Sequence, residues 1–213
     1  MPQEQGHKWF AVFWDWAVKS ENAALRRGRQ ETVGGASGRV LEIGCGTGGN
    51  FSYYGDGVSE LIATDPDGYM LQRARKRAAE IERPIEILQA PAEELPFDDQ
   101  SFDTVVGTWV MCHARDPAAA LSEVRRVLKP EGQFRFYEHV RYDHAFGAFW
   151  QDLVNPVWRR LLNSGCNLNR DTARSISDAG FVFRQLQSVK PVPVFSPMVL
   201  TRLNIQGVAV RGQ

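Results

Sequence analysis

The chain predicts an α/β domain, a mostly parallel seven-stranded sheet with helices on both faces. Three observations lead there. Short runs rich in β-branched residues alternate with helical segments from residue 39 onward. The first run feeds a glycine turn, R-V-L-E-I-G-C-G-T-G-G-N, from Arg39 to Asn50. An acidic residue, Asp65 in I-A-T-D-P, follows 21 residues after Gly44. A glycine turn lets the backbone approach a ligand closely, and the acidic residue suits a ribose diol, so the pair describes a nucleotide or nucleoside clasp.

The elements follow in order. Residues 5 to 31 read as helical, with Trp9, Phe13 and Trp16 at a helical period and Phe10 and Trp14 widening the apolar face. This helix is expected to cap the domain or its site. Gly34, Gly35, Ser37 and Gly38 break the chain before strand one, Val40 to Ile43. Glu60 to Thr64 is strand two, Tyr69 to Ile81 a helix, Ile85 to Leu88 strand three and Phe102 to Thr108 strand four. A helix opens near Pro117, where a missing N–H costs nothing, and runs to Leu128. Gln133 to Val140 is strand five.

Residues 144 to 163 carry Phe146, Phe149, Trp150, Leu153, Val157, Trp158, Leu161 and Leu162, but Pro156 argues against one uninterrupted helix. Asp171 to Ala179 is a short helix. Phe181 to Val189 and Leu203 to Val210 pair as antiparallel strands across an apolar loop, Pro191 to Pro197. The whole is expected to be one domain, 1–213, with 1–31 as a cap helix and 142–169 as an insertion on the substrate side.

A length of 213 residues allows one sizeable core. Zero formal net charge argues against a long nucleic-acid footprint. No apolar run approaches the roughly 20 residues of a membrane helix, and no signal-peptide pattern is seen, so a cytoplasmic protein is expected. Cys45, Cys112 and Cys166 show no metal-like spacing and read as free thiols, so no metal is expected.

Gly44, Gly46 and Gly49 formally match the G-x-G-x-x-G of NAD binders, a weak signal alone. The longer string Glu42, Gly44, Gly46, Gly48 decides otherwise. A carboxylate at the end of strand one would repel a pyrophosphate and would suit the ammonium of an amino-acid tail. This favours S-adenosylmethionine.

At this point the chain resembles the class I S-adenosylmethionine-dependent methyltransferases of the methyltransferase domain 11 type. The motifs are V-L-E-I-G-C-G-T-G (40–48), A-T-D-P (63–66), A-P-A-E-E-L-P-F (90–97), S-F-D-T-V-V, and L-S-E-V-R-R-V-L-K-P-E-G (121–132). The strings W-V-M-C, F-Y-E-H-V, F-W-Q-D-L-V-N-P-V-W and G-C-N-L-N-R-D-T look like the methyltransferase-like protein 7 group, whose members methylate small thiols. The human members carry a hydrophobic N-terminal anchor that the amphipathic start of this chain does not match.

The resemblance implies a Rossmann-like fold and roles for named residues. Gly44, Gly46 and Gly48 line the methionine and ribose side, with Cys45 contributing backbone. Asn50 reaches the methionine carboxylate or caps a helix. Asp65 takes the ribose hydroxyls, and Pro66 and Met70 flank adenine. Ala92 offers its N–H to adenine. Relatives often place Asp before that alanine; Pro91 stands here, so Glu93, a carbonyl or water must serve. Thr108 and Trp109 sit beneath the sulfonium. Candidate bases are His113, Glu138, His139 and, in the following loop, His144, with only one of Glu138 and His139 expected to face the pocket because strand residues alternate. Aromatic residues of the first helix and of 142–169 are expected to line a chamber for a small apolar acceptor. Sulfur leads as the accepting atom. The alternative is oxygen or nitrogen of a phenol, a quinone precursor or a phospholipid head group, with membrane-surface contact. The oligomeric state is left open.

Overall fold

The computed structural model describes residues 8–161, 165–193, 196 and 198–212, without the side chains of Phe13, Ala17 and Leu161. Its elements are α1 (Lys8–Lys19), α2 (Ala23–Val33), β1 (Gly38–Ile43), β2 (Val58–Asp65), α3 (Gly68–Ala78), β3 (Ile85–Gln89), β4 (Phe102–Thr108), α4 (Pro117–Val127), β5 (Leu128–His139), α5 (Ala145–Leu161), α6 (Thr172–Asp178), β6 (Phe181–Val189) and β7 (Asn204–Arg211). The seven strands lie in the order β3-β2-β1-β4-β5-β7-β6. Strands β1 to β5 pair in parallel, and β7 runs antiparallel to both β5 and β6. This is the expected Rossmann-like arrangement. The order reverses at β1, which leaves a crevice beyond its carboxyl end, and the glycine turn stands there.

Strand alternation divides the core. Val40 packs with Val33, Phe51, Tyr54, Leu61 and Leu71 on one face of the sheet. Leu41 and Ile43 pack with Val105, Phe134, Phe136, Leu121 and Val124 on the other. Each such side chain contributes about 1.5–3 kcal/mol on burial. Glu42 follows the alternation onto the face of Val40, and its carboxylate is buried there.

Helix starts follow from acidic and amide caps. Asp67 accepts from the N–H groups of Tyr69 and Met70 at the start of α3. Asp116 does the same for Ala118 and Ala119, with Pro117 in the first turn of α4.

Three expectations change. The N-terminal helix is two helices, because Asn22 accepts from Leu25 N–H at 2.9 Å and starts α2 afresh. The segment around Pro156 is one helix, α5. Proline costs it one hydrogen bond, but both Pro156 and Asp152, whose carbonyl is freed, lie exposed to water. Strand β5 begins at Leu128, earlier than expected, with a register shift opposite Phe102–Thr104 that absorbs Lys129–Gly132.

Candidate active site

The glycine turn closes over the ends of β1 and β2. Cys45 N–H donates to the Thr64 carbonyl and Gly46 N–H to Asp65 Oδ2, both at 2.9 Å. Gly44, Gly46 and Gly48 all have φ between +55° and +77°, a region open to glycine and costly for other residues. Space is short as well. A Cβ on Gly44 would stand 2.7 Å from Val110, and one on Gly48 2.5 Å from Phe51. Asp65 is buried, and its other oxygen accepts from Asp67 N–H at 2.8 Å. Burial pushes its carboxyl up to about 6, although the backbone donors at Asp67 and Gly46 pull the other way.

A buried polar chain runs beside this turn. Asn50 Nδ2 donates to Glu42 Oε1 and Thr108 Oγ1, each at 2.9 Å, and Tyr54 donates to Glu42 Oε2 at 2.8 Å. Burial pushes Glu42 up to about 7, opposed by these two donors. Arg29 Nη1 donates to Asn50 Oδ1 at 2.9 Å, while its Nε donates to Glu21 Oε2, also at 2.9 Å. The Arg29 guanidinium carbon lies 4.5 Å from the centroid of the Trp109 ring. Asn50 occupies a cap position before a short 3₁₀ turn, but its side chain makes no capping bond and serves this chain instead.

Arg29, Glu21 and Tyr54 were not foreseen. Arg29 lies in R-R-G-R-Q, which reads as a charged tail. The available signal is Gly28, where a Cβ would stand 2.6 Å from the Tyr137 ring, so glycine lets α2 approach β5.

Trp109, just past β4, has φ +55°. Its N–H donates to the Tyr137 carbonyl at 2.8 Å and its indole Nε1 to Asn204 Oδ1 at 2.9 Å. Such a backbone persists only where the surroundings over-determine it. Trp14 from α1 meets Trp109 edge-on at 6.0 Å and His113 at 6.5 Å. Its Nε1 also lies 3.4 Å from where a Cβ of Gly46 would be. Helix α1 therefore does cover the turn, but through Trp14. Trp9 and Trp16 are 85 % and 63 % exposed, and the Phe13 side chain lies outside the described residues.

The candidate bases separate. His113 Nδ1 is 3.0 Å from the Trp109 carbonyl, which can only accept, so the proton belongs on Nδ1 and Nε2 keeps its lone pair. Burial lowers its pKa, favouring the neutral ring. Glu138 accepts from the N–H groups of Val110, Met111 and Cys112 at 2.7, 2.9 and 3.4 Å. Burial pushes it up to about 7 against those three bonds. It anchors the turn after β4, and its oxygens are committed there. His139 Nε2 lies 3.2 Å from Cys166 Sγ. Thus neither member of the pair joins the Trp14, Trp109 and His113 group.

Of the residues expected beside adenine, Met70 and Ala92 are buried, whereas Pro66 is exposed. Glu93 accepts from Arg115 N–H at 2.7 Å and Asp116 N–H at 3.3 Å, so it holds the start of α4.

The aromatic stripe of α5 faces outward, contrary to expectation: Phe146, Phe149, Trp150, Leu153 and Val157 are all exposed. The inward face carries Ala148 and the fully buried Gln151, whose amide bonds to Tyr142 N–H and to the carbonyls of Val140 and Leu200. Leu162 lies outside the described residues. In the segment after α5, Cys166 and Asn167 are buried, and Asn167 N–H donates to the Cys112 carbonyl at 2.8 Å.

Comparison with known proteins agrees with this geometry. Residues 41–136 match the family described as "Methyltransferase domain". A Mesorhizobium loti S-adenosylmethionine-dependent methyltransferase shares the fold, with TM-score 0.66 and 20 % identity over 91 % of this chain and 100 % of that one. The chain belongs to the class I S-adenosylmethionine-dependent methyltransferases, and S-adenosylmethionine is its cofactor.

Within that class it is closely related to a thiol-methylating group. Human thiol S-methyltransferase TMT1A is 34 % identical over 211 residues, 95 % of this chain and 83 % of the relative. Human TMT1B is 38 % identical over 164 residues, 74 % of this chain and 66 % of the relative.

Proposed function

We propose that this enzyme methylates a small thiol. The observation that carries the reading is the lack of an assembled base. His113 is neutral, its Nδ1 meets a backbone carbonyl, and no carboxylate orients it among the described contacts. Glu138 is spent on backbone donors. A thiol ionises near neutral pH and needs little help, whereas a phenol, with pKa near about 10, benefits from a base. The names of the relatives support the same choice.

When bound, S-adenosylmethionine supplies an electrophilic methyl group on a sulfonium. The cradle suits it. Gly44, Gly46 and Gly48 leave no Cβ in its way, with Cys45 offering backbone. Asp65 has lone pairs left for ribose hydroxyls. Glu42 offers charge to the ammonium and Arg29 to the carboxylate, with Asn50 holding both side chains in place. Met70 and Ala92 border adenine, and Pro66 stands at the rim. Thr108 and Trp109 lie beneath the methionine tail. Trp14 and Trp109 orient the acceptor and exclude water from the line of displacement. His113 positions the acceptor, and the thiol loses its proton to water by its own ionisation.

A panel of thiol, phenol, amine and lipid acceptors, read by product mass, tests this. S-methyl products from small thiols are expected. Turnover confined to phenols or amines would refute it.

A second reading, methylation at a membrane surface, is favoured by the exposed residues Trp9, Trp16, Phe146, Phe149 and Trp150. Among the described residues no helix is long and apolar enough to cross a membrane.

A further inference from the structure

Three side chains without a task in methyl transfer meet behind His113. Cys112 follows β4, His139 ends β5, and Cys166 lies in the segment after α5. Their sulfur, nitrogen and sulfur ligand atoms all lie within 4.8 Å of one another, and all three residues are buried. From this juxtaposition we infer a binding site for one thiophilic divalent cation, with zinc the best fit, that pins the segment around Cys166 to the ends of β4 and β5.

The donor set is the first support. Two sulfurs and an imidazole select zinc over magnesium or calcium, which prefer oxygen. Spacing is the second. Around a tetrahedral zinc, with bonds of about 2.0–2.3 Å, ligand atoms stand roughly 3.5–3.8 Å apart. His139 Nε2 and Cys166 Sγ are already 3.2 Å apart, so rotamer-scale movement suffices. Charge is the third: two thiolates neutralise a divalent ion in a buried setting.

The scaffold around the three groups is built without the ion. Glu138 fixes the backbone that carries Cys112. Asn167 donates both its N–H and its Nδ2 to the Cys112 carbonyl, at 2.8 and 3.1 Å, which ties the Cys166 segment to the same turn. Arg170 donates to the Met111 carbonyl beside it.

Three protein ligands leave a fourth tetrahedral position for water or another donor. His113 borders it, with Nδ1 3.0 Å from Cys112 Sγ. The ligands are 27 residues apart in each interval, so no short motif announces them. The inference does not depend on the acceptor being a thiol.

The test is an anaerobic cobalt titration of the full chain, reduced and freed of metal by chelation. One equivalent of Co²⁺ should give sulfur-to-cobalt charge-transfer absorption and tetrahedral d–d bands, and Zn²⁺ should abolish both. Cys112→Ser, Cys166→Ser and His139→Ala should each weaken binding by more than the roughly 10–100-fold that outer-shell changes cost. Cys45→Ser should keep it. If the variants fold poorly, the wild-type spectrum still decides. Fully reduced wild-type protein without charge-transfer absorption overturns the site. So does unchanged binding in folded Cys112→Ser and Cys166→Ser. A Cys112–Cys166 disulfide found by peptide mass, with no metal uptake after reduction, overturns it as well.

Discussion

Arg29 and Glu21 form an ion pair at 2.9 Å in which each side chain is only 5 % exposed. Through it the junction of α1 and α2 is tied to Asn50 and Thr108, which border the proposed cofactor cradle. Breaking a buried pair by removing one partner strands the other charge and typically costs 3–5 kcal/mol.

Glu21→Ala should therefore destabilise the chain by about 3 kcal/mol, and Glu21→Gln by less, because an acceptor for Arg29 remains. Urea unfolding measures both. Affinity for S-adenosylhomocysteine should fall in the same order, as Arg29 loses its placement. A loss below about 0.5 kcal/mol for Glu21→Ala would mean that water rescues Arg29.

Asp65→Ala removes the charged acceptor proposed for the ribose hydroxyls. Such bonds are worth about 1.5–3 kcal/mol, so calorimetry should show S-adenosylhomocysteine binding weakened at least about tenfold. It also frees Gly46 N–H, so binding should be read on protein shown to be folded. Unchanged affinity would contradict the assignment.

Glu42 gives a pH prediction. Its folded pKa is raised, from 4.5 to about 7, mainly by burial. Folding therefore favours the protonated form. That stability is fully present below about 4.5 and is lost as pH rises through about 7. Between pH 5.5 and 7.5 the loss should be about 2 kcal/mol in the ligand-free chain, and Glu42→Gln should lack it. Asp65 and Glu138, raised to about 6 and about 7, add to the fall in both proteins. Cofactor binding should strengthen over the same window, because the contact proposed between Glu42 and the ammonium needs the charged carboxylate. Denaturant midpoints across pH for both proteins decide it.

The fold was legible because strand runs, glycine breaks and proline starts report local backbone requirements. Phe102–Thr108 and Phe181–Val189 read at their observed limits. Gly44, Gly46 and Asp65 were legible for the same reason: a turn with positive φ and a buried acceptor leave a short, ordered string. Periodicity fails where several faces are apolar. Nine of the residues 8–19 are hydrophobic, so nothing local selects Trp14 over Trp9 or Trp16. In α5 the large aromatics mark the outer face, while Gln151, a polar residue, makes the anchoring bonds. Arg29 and the meeting of Cys112, His139 and Cys166 depend on tertiary closure over tens of residues, which no spacing rule carries.

Trp14 separates the two roles of the N-terminal aromatics. Trp14→Ala should raise KM for the acceptor several-fold with the domain still folded, since Trp14 touches Trp109 and His113. Trp9→Ala with Trp16→Ala should leave kinetics on soluble acceptors unchanged. If the membrane reading holds, that pair should lower co-sedimentation with liposomes. Steady-state kinetics and sedimentation on the same proteins distinguish the outcomes.

The most direct test of thiol methylation without a protein base is a pH–rate series using small thiols of graded acidity, with wild type and His113→Ala in parallel. The midpoint of kcat/KM should shift with each thiol's own pKa in both proteins, and the variant should keep appreciable kcat. A midpoint that stays at one pH whatever the thiol, together with near-complete loss of turnover in folded, cofactor-binding His113→Ala, would contradict the account and make His113 a true general base.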